Sequence, residues 1–440
     1  MNDLPAGWRW LTPHEIAGED RSSLVIGPFG SNLKTSDYAT EGVPLVFVRD
    51  IRNGLFSNPR AFVSTAKAKE LSAHLAVPGD VLVTKMGAPP GDSVVYGGSG
   101  PAVITADCIR LRPAPGFHPQ YIAYALQAPD ARRQVAGITA GVAQLKVSLA
   151  RFRSGVRIPV PSLPEQERII EVLEEHLSRL DAGTAYLGAA KRRARFLTKA
   201  VLADLIPDVS AYPNSWESTT VAKAGTVELG RQRHPDWHKG PNMRPYLRVA
   251  NVFEDRIDTS DLMEMHWPDE TFERFRLEPG DILLNEGQSP EWLGRPAIYR
   301  GVPEEVAFTN SILRFKARED VLPEFALLVF RRHMHTGRFK RESRITTNIA
   351  HLSANRLKKI EFPVPPVGVQ QQIVESAALK LDAVKRLEKE IATFERKSES
   401  LRRSLLAAAF SGRLIGATFG DAEVAPVEEI VPPVFEGALS

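Results

Sequence analysis

Short runs of alternating apolar and polar residues recur in two separate stretches of this 440-residue chain. PLVFVRDI from Pro44 and DVLVTK from Asp80 are rich in valine and bounded by Gly, Pro and Asn, which is typical of strands and turns. The amphipathic segments HPQYIAYALQ from His118 and LPEFALLVF from Leu322 predict short helices. We therefore expect an α+β fold built from short elements.

A long helical pattern closes each stretch, over residues 164–206 and 367–415. Apolar residues recur at alternating steps of three and four from Ile170 to Leu187 and from Val384 to Leu405, as in a coiled-coil seam. Helices of this length measure about 60 Å, and so long a seam needs a cover. We predict that the two helices pair antiparallel as a coiled coil. The alternative is two separate amphipathic helices, each on its own core.

An internal repeat relates the two stretches through five ordered matches, at an offset of about 201 to 208 residues. VPGDVLVTKMGAPPGD at Val77 matches EPGDILLNEGQSPEWLGRP at Glu278, and IPVPSLPEQ at Ile158 matches FPVPPVGVQ at Phe362. The repeat predicts two similar α/β domains, 1–163 and 207–366, separated by the long helices and related by pseudo-twofold symmetry.

Charge is unevenly distributed along the chain, although the net value is only +3. Residues 416–440 hold five acidic residues and no basic one, and they predict a flexible tail. The segment from Arg331 to Arg344 concentrates six basic residues against one acid. Such an excess suits a polyanion, although a solvated helix face explains it nearly as well.

Composition points to a folded protein that is not embedded in a membrane. The chain is 43% hydrophobic and 25% charged, and no apolar run reaches the roughly 18 residues that cross a bilayer. The N-terminus lacks a signal pattern, so we expect a cytoplasmic protein. The single cysteine, Cys108, predicts a buried structural thiol.

Motifs of catalysis are absent from the sequence. There is no glycine-rich cofactor loop of the methyltransferase type, no GxxxxGK phosphate loop and no HExxH or other metal-ligand spacing. We therefore interpret the chain as non-catalytic, with no cofactor or metal of its own.

A pair of similar domains on a stiff helical spacer suits a ligand with two separated, equivalent sites, and double-stranded DNA is such a ligand. Loops at equivalent places in both halves carry Arg, Lys, Gln and Asn, the side chains that pair with base edges. The candidate contacts are Ser31, Asn32, Lys34, Arg49, Lys85, Gln144, Lys146, Arg231, Arg248, Gln288, Arg295, Thr346, Thr347, Asn348 and His351.

Four segments together resemble the specificity subunit of type I restriction-modification systems. They are GPFGSNLKTSDYATEGVPLVFVRDI, PGDVLVTKMG, IPVPSLPEQERI before a long helix, and LLAAAFSGRL from Leu405, and the resemblance spans about residues 5–415. It implies two target recognition domains that each bind one half of a split DNA sequence, with the helices setting the spacer. The second corner departs from the pattern, because VQQQ stands where the family usually has a glutamate before the glutamine.

The resemblance also implies partners. Two methyltransferase subunits would dock on the helices and domains, and restriction subunits could join them. S-adenosylmethionine, ATP and magnesium would be bound by those partners. A coiled-coil scaffold or adaptor without DNA specificity remains the alternative function, and a self-contained methyltransferase or nuclease is disfavoured by the missing motifs.

Overall fold

The computed structural model describes residues 4–141, 144–346 and 349–416. Thr347, Asn348 and nearly all of the predicted tail lie outside these ranges. The chain forms two compact units, Met1–Ala185 with Phe394–Ser440 and Tyr186–Thr393. Each unit combines one predicted domain with parts of both long helices. The finer division into five segments stays a prediction.

The strands of the described residues are short, two to six residues each. They are β1 (Arg9–Leu11), β2 (Leu24–Ile26), β3 (Val43–Val46), β4 (Phe62–Val63), β5 (Leu75–Ala76), β6 (Val81–Thr84), β7 (Ser93–Val95), β8 (Ala102–Ile104), β9 (Cys108–Leu111), β10 (Ile158–Val160), β11 (Glu217–Thr220), β12 (Gly225–Leu229), β13 (Met243–Leu247), β14 (Val252–Phe253), β15 (Arg256–Ile257), β16 (Met263–His266), β17 (Ile282–Asn285), β18 (Gly287–Gln288), β19 (Pro296–Ile298), β20 (Ala307–Phe308), β21 (Ile312–Ala317), β22 (Arg344–Thr346), β23 (Ile349–His351) and β24 (Glu361–Val364).

The helices differ widely in length, and two of them have 43 residues. They are α1 (Pro13–Ala17), α2 (Val48–Asn53), α3 (Thr65–Glu70), α4 (Pro119–Gln127), α5 (Pro129–Gly137), α6 (Leu149–Gly155), α7 (Leu163–Leu205), α8 (Val221–Ala224), α9 (Asp269–Phe275), α10 (Pro323–His335), α11 (Arg338–Glu342), α12 (Ala354–Leu357), α13 (Val367–Ala409) and α14 (Arg413–Gly416).

The internal repeat is visible in the sheets. The first unit has an antiparallel sheet in the order β2-β9-β6-β7, and the second has its counterpart in the order β12-β21-β17-β19. A second sheet of each unit contains one parallel pair, β3 with β8 and β13 with β20. The central strands β6 and β17 are buried along their whole length, which explains why the first three residues of each are apolar. The two similar α/β domains are therefore confirmed.

Both long helices enter the hydrophobic core of each unit. In the first unit, Leu173 and Leu177 of α7 and Phe410, just after α13, pack with the strands, and the Phe410 ring lies 5.1 Å from that of Tyr121. In the second unit, Leu202 of α7 and the first turns of α13 pack with the buried phenylalanines of the domain. Each domain is thus anchored to both helices by its own core.

Antiparallel pairing of the long helices is confirmed within each unit. In the first, the Asp181 carboxylate lies 2.6 Å from Arg402 Nη1, and the Thr184 and Ser398 hydroxyl oxygens are 3.2 Å apart. Residue numbers rise along one helix as they fall along the other. In the second unit, Lys380 pairs with Asp204 at 2.9 Å.

The seam predicted on α13 is only half right. Val384 and Ile391 are buried against Ala194 of α7. Leu387, Phe394 and Leu401 were also predicted for the seam, but they are 38%, 54% and 50% exposed.

The physical reason lies on the opposite helix. There α7 presents Leu187, Ala190 and Ala194, two of which are small, so the contact is narrow. In each heptad of α13, α7 covers one of the two apolar positions. The other apolar position stays exposed and forms a stripe along the helix.

A buried glutamine closes the corner where each domain joins its long helix. Gln166 Oε1 accepts from the amide of His118 at 2.9 Å, and its Nε2 donates to the carbonyls of Gly116 and Pro161 at 3.2 and 3.0 Å. The side chain satisfies three backbone groups that would otherwise lack partners.

Gln370 repeats this arrangement in the second unit. Its Oε1 accepts from the Leu322 amide, and its Nε2 donates to Asp320 and Pro365, all at 2.8 Å. The substitution noted in the VQQQ corner therefore retains the glutamine that carries the contact.

The described residues show the surroundings of the single cysteine and the apolar character of the helices. Cys108 is buried, and burial raises the pKa of its thiol to about 12, as expected of a structural thiol. Among the residues placed by the structure, no helix has both the length and the apolar character needed to cross a membrane.

Candidate nucleic-acid interface

Three loops of the first unit converge on one another, and the sequence had singled out all three. Lys85, after strand β6, lies with its Nζ 5.8 Å from the centre of the Phe29 ring in GPFGSNLK. The next residue, Met86, forms a β-bridge with Lys146, and the amide of Gly87 donates to the Leu145 carbonyl at 3.2 Å. The fold thus gathers Lys85, Gln144 and Lys146 at one edge of the domain.

Most of the first-half candidates are accessible. Ser31, Asn32, Lys34, Gln144 and Lys146 are exposed, whereas Lys85 is half-buried. The Lys85 Nζ donates to the carbonyl of Ala106 at 3.2 Å, which holds the ammonium group beside the Phe29 ring. This edge offers amide, hydroxyl and ammonium donors to a ligand.

Arg49 lies on α2. Its guanidinium stacks over Phe47 at 5.1 Å and is 3.5 Å from the Asp50 carboxylate. Its side chain is nearly half exposed, so these contacts orient it without hiding it.

An aromatic residue in this cluster was not among the candidates. Phe29 is 65% exposed, so packing within the domain does not explain why this loop has a large apolar side chain. An exposed aromatic beside a lysine can stack on a base or sugar of a nucleic acid. The signal was available in the sequence as a lone phenylalanine between glycine, serine and lysine.

The second unit builds the equivalent edge from a three-stranded sheet in the order β18-β23-β22. Gln288 pairs with Ala350, and Gly287 pairs with His351, whose Nδ1 lies 3.2 Å from the Glu286 carboxylate. The backbone of Thr346 pairs with that of Ile349. Gln288, Thr346 and His351 are therefore brought to one edge, as their counterparts are in the first unit.

Three arginines of the second half have roles inside the domain. Arg231 is held over the Trp237 ring at 3.8 Å and donates from Nη1 to the His266 carbonyl at 2.8 Å. Arg295 Nε donates to the Val252 carbonyl at 3.0 Å, and Arg248 forms an ion pair with Asp261. The domain uses these donors, so fewer remain for a ligand here than the sequence suggested.

The first two arginines of the basic segment from Arg331 to Arg344 are not part of an open surface. The Arg331 and Arg332 side chains are 7% and 6% exposed, and they pair with Glu254 at 2.7 Å and with Asp208 at 2.9 Å. Helix α10 packs these two side chains into the domain, where acids distant in sequence match their charges. They are therefore not available to a polyanion, whereas Lys340 and Arg341 are exposed.

Glu254 is the centre of this buried charge cluster. Burial alone would raise the pKa of its carboxyl, but hydrogen bonds from His335 and Arg331, together with their charges, lower it to about 2. His335 Nε2 lies 2.9 Å from the same carboxylate. The neighbouring His333 has its pKa lowered by burial, so it is neutral near pH 7.

Metal-binding geometry is likewise not found in the described ranges. No group of three or more His, Cys, Asp or Glu side chains there could hold a metal ion.

Comparison with known proteins shows what the second unit is similar to. Residues 245–393 match the family model described as the type I restriction modification DNA specificity domain. This range contains the edge formed by Gln288, Thr346 and His351.

Whole-chain relatives point to a particular kind of protein. The specificity subunit of the type I restriction enzyme StySPI from Salmonella potsdam is 24% identical, and that of EcoKI from Escherichia coli K12 is 22% identical. Each match spans 93% of this chain and 90% of the relative.

A solved chain of a type I R-M system superimposes with a TM-score of 0.67 at 16% identity, and the match covers 94% of this chain and all of that one. The resemblance to type I specificity subunits is confirmed. These relatives favour DNA specificity over the adaptor alternative.

Proposed function

We propose that this chain is the DNA-specificity subunit of a type I restriction-modification complex and that each unit binds one half of a split target. The observation that carries the proposal is duplication of the loop edge. Met86 pairs with Lys146 two residues after β6 in one unit, and Gly287 pairs with His351 two residues after β17 in the other, so candidate side chains are gathered beside equivalent strands. Single-site binders have no need of such a pair.

The long helices supply the spacer in this proposal. They are continuous over 43 residues each, and their ends are buried in the domain cores. A helix anchored in this way is stiff, so the number of unread base pairs is set by helix length rather than by a flexible linker.

Two methyltransferase subunits are the proposed partners on the helices. Leu387, Phe394 and Leu401 recur every seven residues and leave an apolar stripe uncovered on α13. On α7, Phe196 is 70% exposed and lines an open groove of about 600 Å³ with Arg192, Arg193 and Leu197. Apolar heptads suit the apolar face of a partner helix. Restriction subunits would join the assembly through those partners.

The chemistry belongs, in this proposal, to the partner subunits. S-adenosylmethionine, ATP and magnesium would be bound by them, and this chain would supply sequence recognition alone. Purified chain incubated with duplex DNA and S-adenosylmethionine is expected to transfer no methyl group. Transfer by the chain alone would refute this part.

Genome-wide mapping of methylated adenines tests the recognition role. Cells with this chain and its methyltransferase are expected to methylate one split sequence, and cells lacking the chain are expected to lose that mark. A variant in which 207–366 is replaced by the corresponding domain of a relative should change only one half of the sequence. An unchanged methylation pattern would refute the proposal.

A further inference from the structure

A cleft of the first unit collects arginines from three elements. It has an open volume of about 650 Å³ and is bounded by the end of α2, the loop after Gly87, and the last turns of α13. We call it the arginine cleft, and its charged residues are Arg52, Arg132, Arg402, Arg403 and Asp92. Four cations line the cleft against one acid, and a positive excess remains although Arg402 also pairs with Asp181 outside the lining.

The fold alone does not account for this excess. Asp92 is held by Arg52 at 2.8 Å and by Arg132 at 3.1 Å, although one guanidinium would neutralise it. The Nη1 of Arg132 is buried and makes no hydrogen bond. Among the described residues, Arg403 forms no ion pair, and its side chain is exposed. Arg403 therefore has donors free for a ligand, whereas the unpaired Nη1 of Arg132 is covered by the domain.

The second unit has a corresponding cleft of about 350 Å³. It too is bounded by residues that follow the recognition edge, Trp292 and Arg295, by Phe253 of β14, and by both long helices. Two of its cations are engaged within the unit, Arg331 with Glu254 at 2.7 Å and Lys385 with Asp255 at 3.2 Å. The arginine cleft therefore differs from its counterpart in its larger positive excess, because its lining holds one acid rather than two.

We propose that the arginine cleft binds a backbone phosphate of the DNA duplex, next to the bases contacted by the first recognition edge. The inference rests on the proposed function. Guanidinium groups match a phosphate with two parallel hydrogen bonds, and the exposed Arg403 has the free donors to do so, with Arg132 and Arg52 adding positive charge beside it. Ala88 and Pro89 of the cleft follow Lys85–Gly87 directly, so the cleft continues the edge that carries the DNA candidates. This continuity favours DNA over an acidic protein segment.

The test compares single substitutions in the full-length chain assembled with its methyltransferase subunits. Arg403→Ala is the main variant, because its side chain is exposed and its loss leaves no buried partner. Arg132→Ala is the second, and Arg133→Ala is the matched control, because Arg133 is 75% exposed and pairs with Asp130 outside the cleft. Circular dichroism verifies that each variant is folded.

Binding of a labelled duplex is measured by fluorescence anisotropy across a range of salt concentrations. The slope of log affinity against log salt is expected to become shallower by about one for Arg403→Ala, equally for target and non-target duplexes, and to stay unchanged for Arg133→Ala. Duplexes carrying one neutral methylphosphonate at each position in turn should reveal a phosphate whose neutralisation weakens the wild type but not Arg403→Ala.

Each remaining outcome has a definite meaning. Unchanged slopes and no such phosphate would overturn the inference while leaving the proposed function intact. Loss of methyltransferase co-purification in Arg403→Ala with unchanged duplex binding would show that the cleft docks protein instead. Failure of the wild-type complex to prefer any duplex sequence would refute the proposed function itself.

Discussion

Replacing Gln370 by leucine removes the side chain that joins the second domain to the start of α13. Gln370 is fully buried, and its three hydrogen bonds of 2.8 Å satisfy the Leu322 amide and the carbonyls of Asp320 and Pro365. Leucine keeps the volume but leaves these groups without partners. A buried unsatisfied group costs roughly 1–3 kcal/mol. The Pro365 bond is fully buried and the other two are partly so, so we expect a loss of about 3 kcal/mol.

Hydrogen exchange by mass spectrometry is the suitable assay, because a chain with two units need not unfold in one step. The Leu322 amide should exchange faster in Gln370→Leu, and so should the first turn of α13. Gln371→Leu is the control, because Gln371 is exposed and adjacent. Surface changes of this kind stay within about 0.5 kcal/mol.

The repeat extends the prediction to the first unit. Gln166→Leu should have the same effect on the amide of His118, because the contacts are equivalent. If Gln370→Leu lost no more protection against exchange than Gln371→Leu, the reasoning would be refuted. The corner would then be held by the proline-rich backbone and not by the buried glutamine.

Three further predictions follow from the same structure. The pKa of Glu254 is lowered to about 2 from an ordinary 4.5, so its contribution to stability, about 3 kcal/mol, is complete above pH 4.5 and is lost as pH falls toward 2. Acid unfolding of Glu254→Gln, monitored by tryptophan fluorescence, should lack this pH-dependent component. An acid unfolding profile equal to that of the wild type would contradict the prediction. Leu387→Asp should abolish methyltransferase co-purification while leaving helicity unchanged. Ile391→Asp should instead lower helicity and the melting temperature, because Ile391 is only 4% exposed in the seam. Equal melting temperatures of the two variants would refute the seam assignment. Lys85→Ala should weaken target-duplex binding in an anisotropy titration, and undiminished affinity would remove Lys85 from the interface.

Local sequence patterns were sufficient for the repeat and for the long helices. The helices are α7 (Leu163–Leu205) and α13 (Val367–Ala409), and the pattern predicted 164–206 and 367–415. Such patterns succeed because residues three and four apart share a helix face whatever the rest of the chain does. The end of α13 was overestimated, because a turn at Ser411 and Gly412 interrupts the helix before α14.

The fate of individual charges could not be predicted in this way. Arg331 and Arg332 looked like part of a basic patch, but they are buried against Glu254 and Asp208, which are distant in sequence. Arg231 looked like a free donor, but it lies over the Trp237 ring. A charge is neutralised by whichever opposite charge the fold brings within a few ångströms, and spacing along the chain carries little information about that neighbour.

The internal repeat was thus enough to establish two similar domains, and hydrophobic periodicity was enough to establish a pair of long helices, because both are properties of the order of residues along the chain. Periodicity could not distinguish the buried Ile391 from the exposed Phe394, because both fit the heptad pattern. The difference arises because the contact surface of α7 is narrow and covers only one apolar position per heptad. Nor could periodicity identify the arginine cleft, whose four cations come from three elements that are far apart in sequence. Contacts between distant segments form only when the chain folds, and they determine which of the predicted side chains are free to bind a ligand.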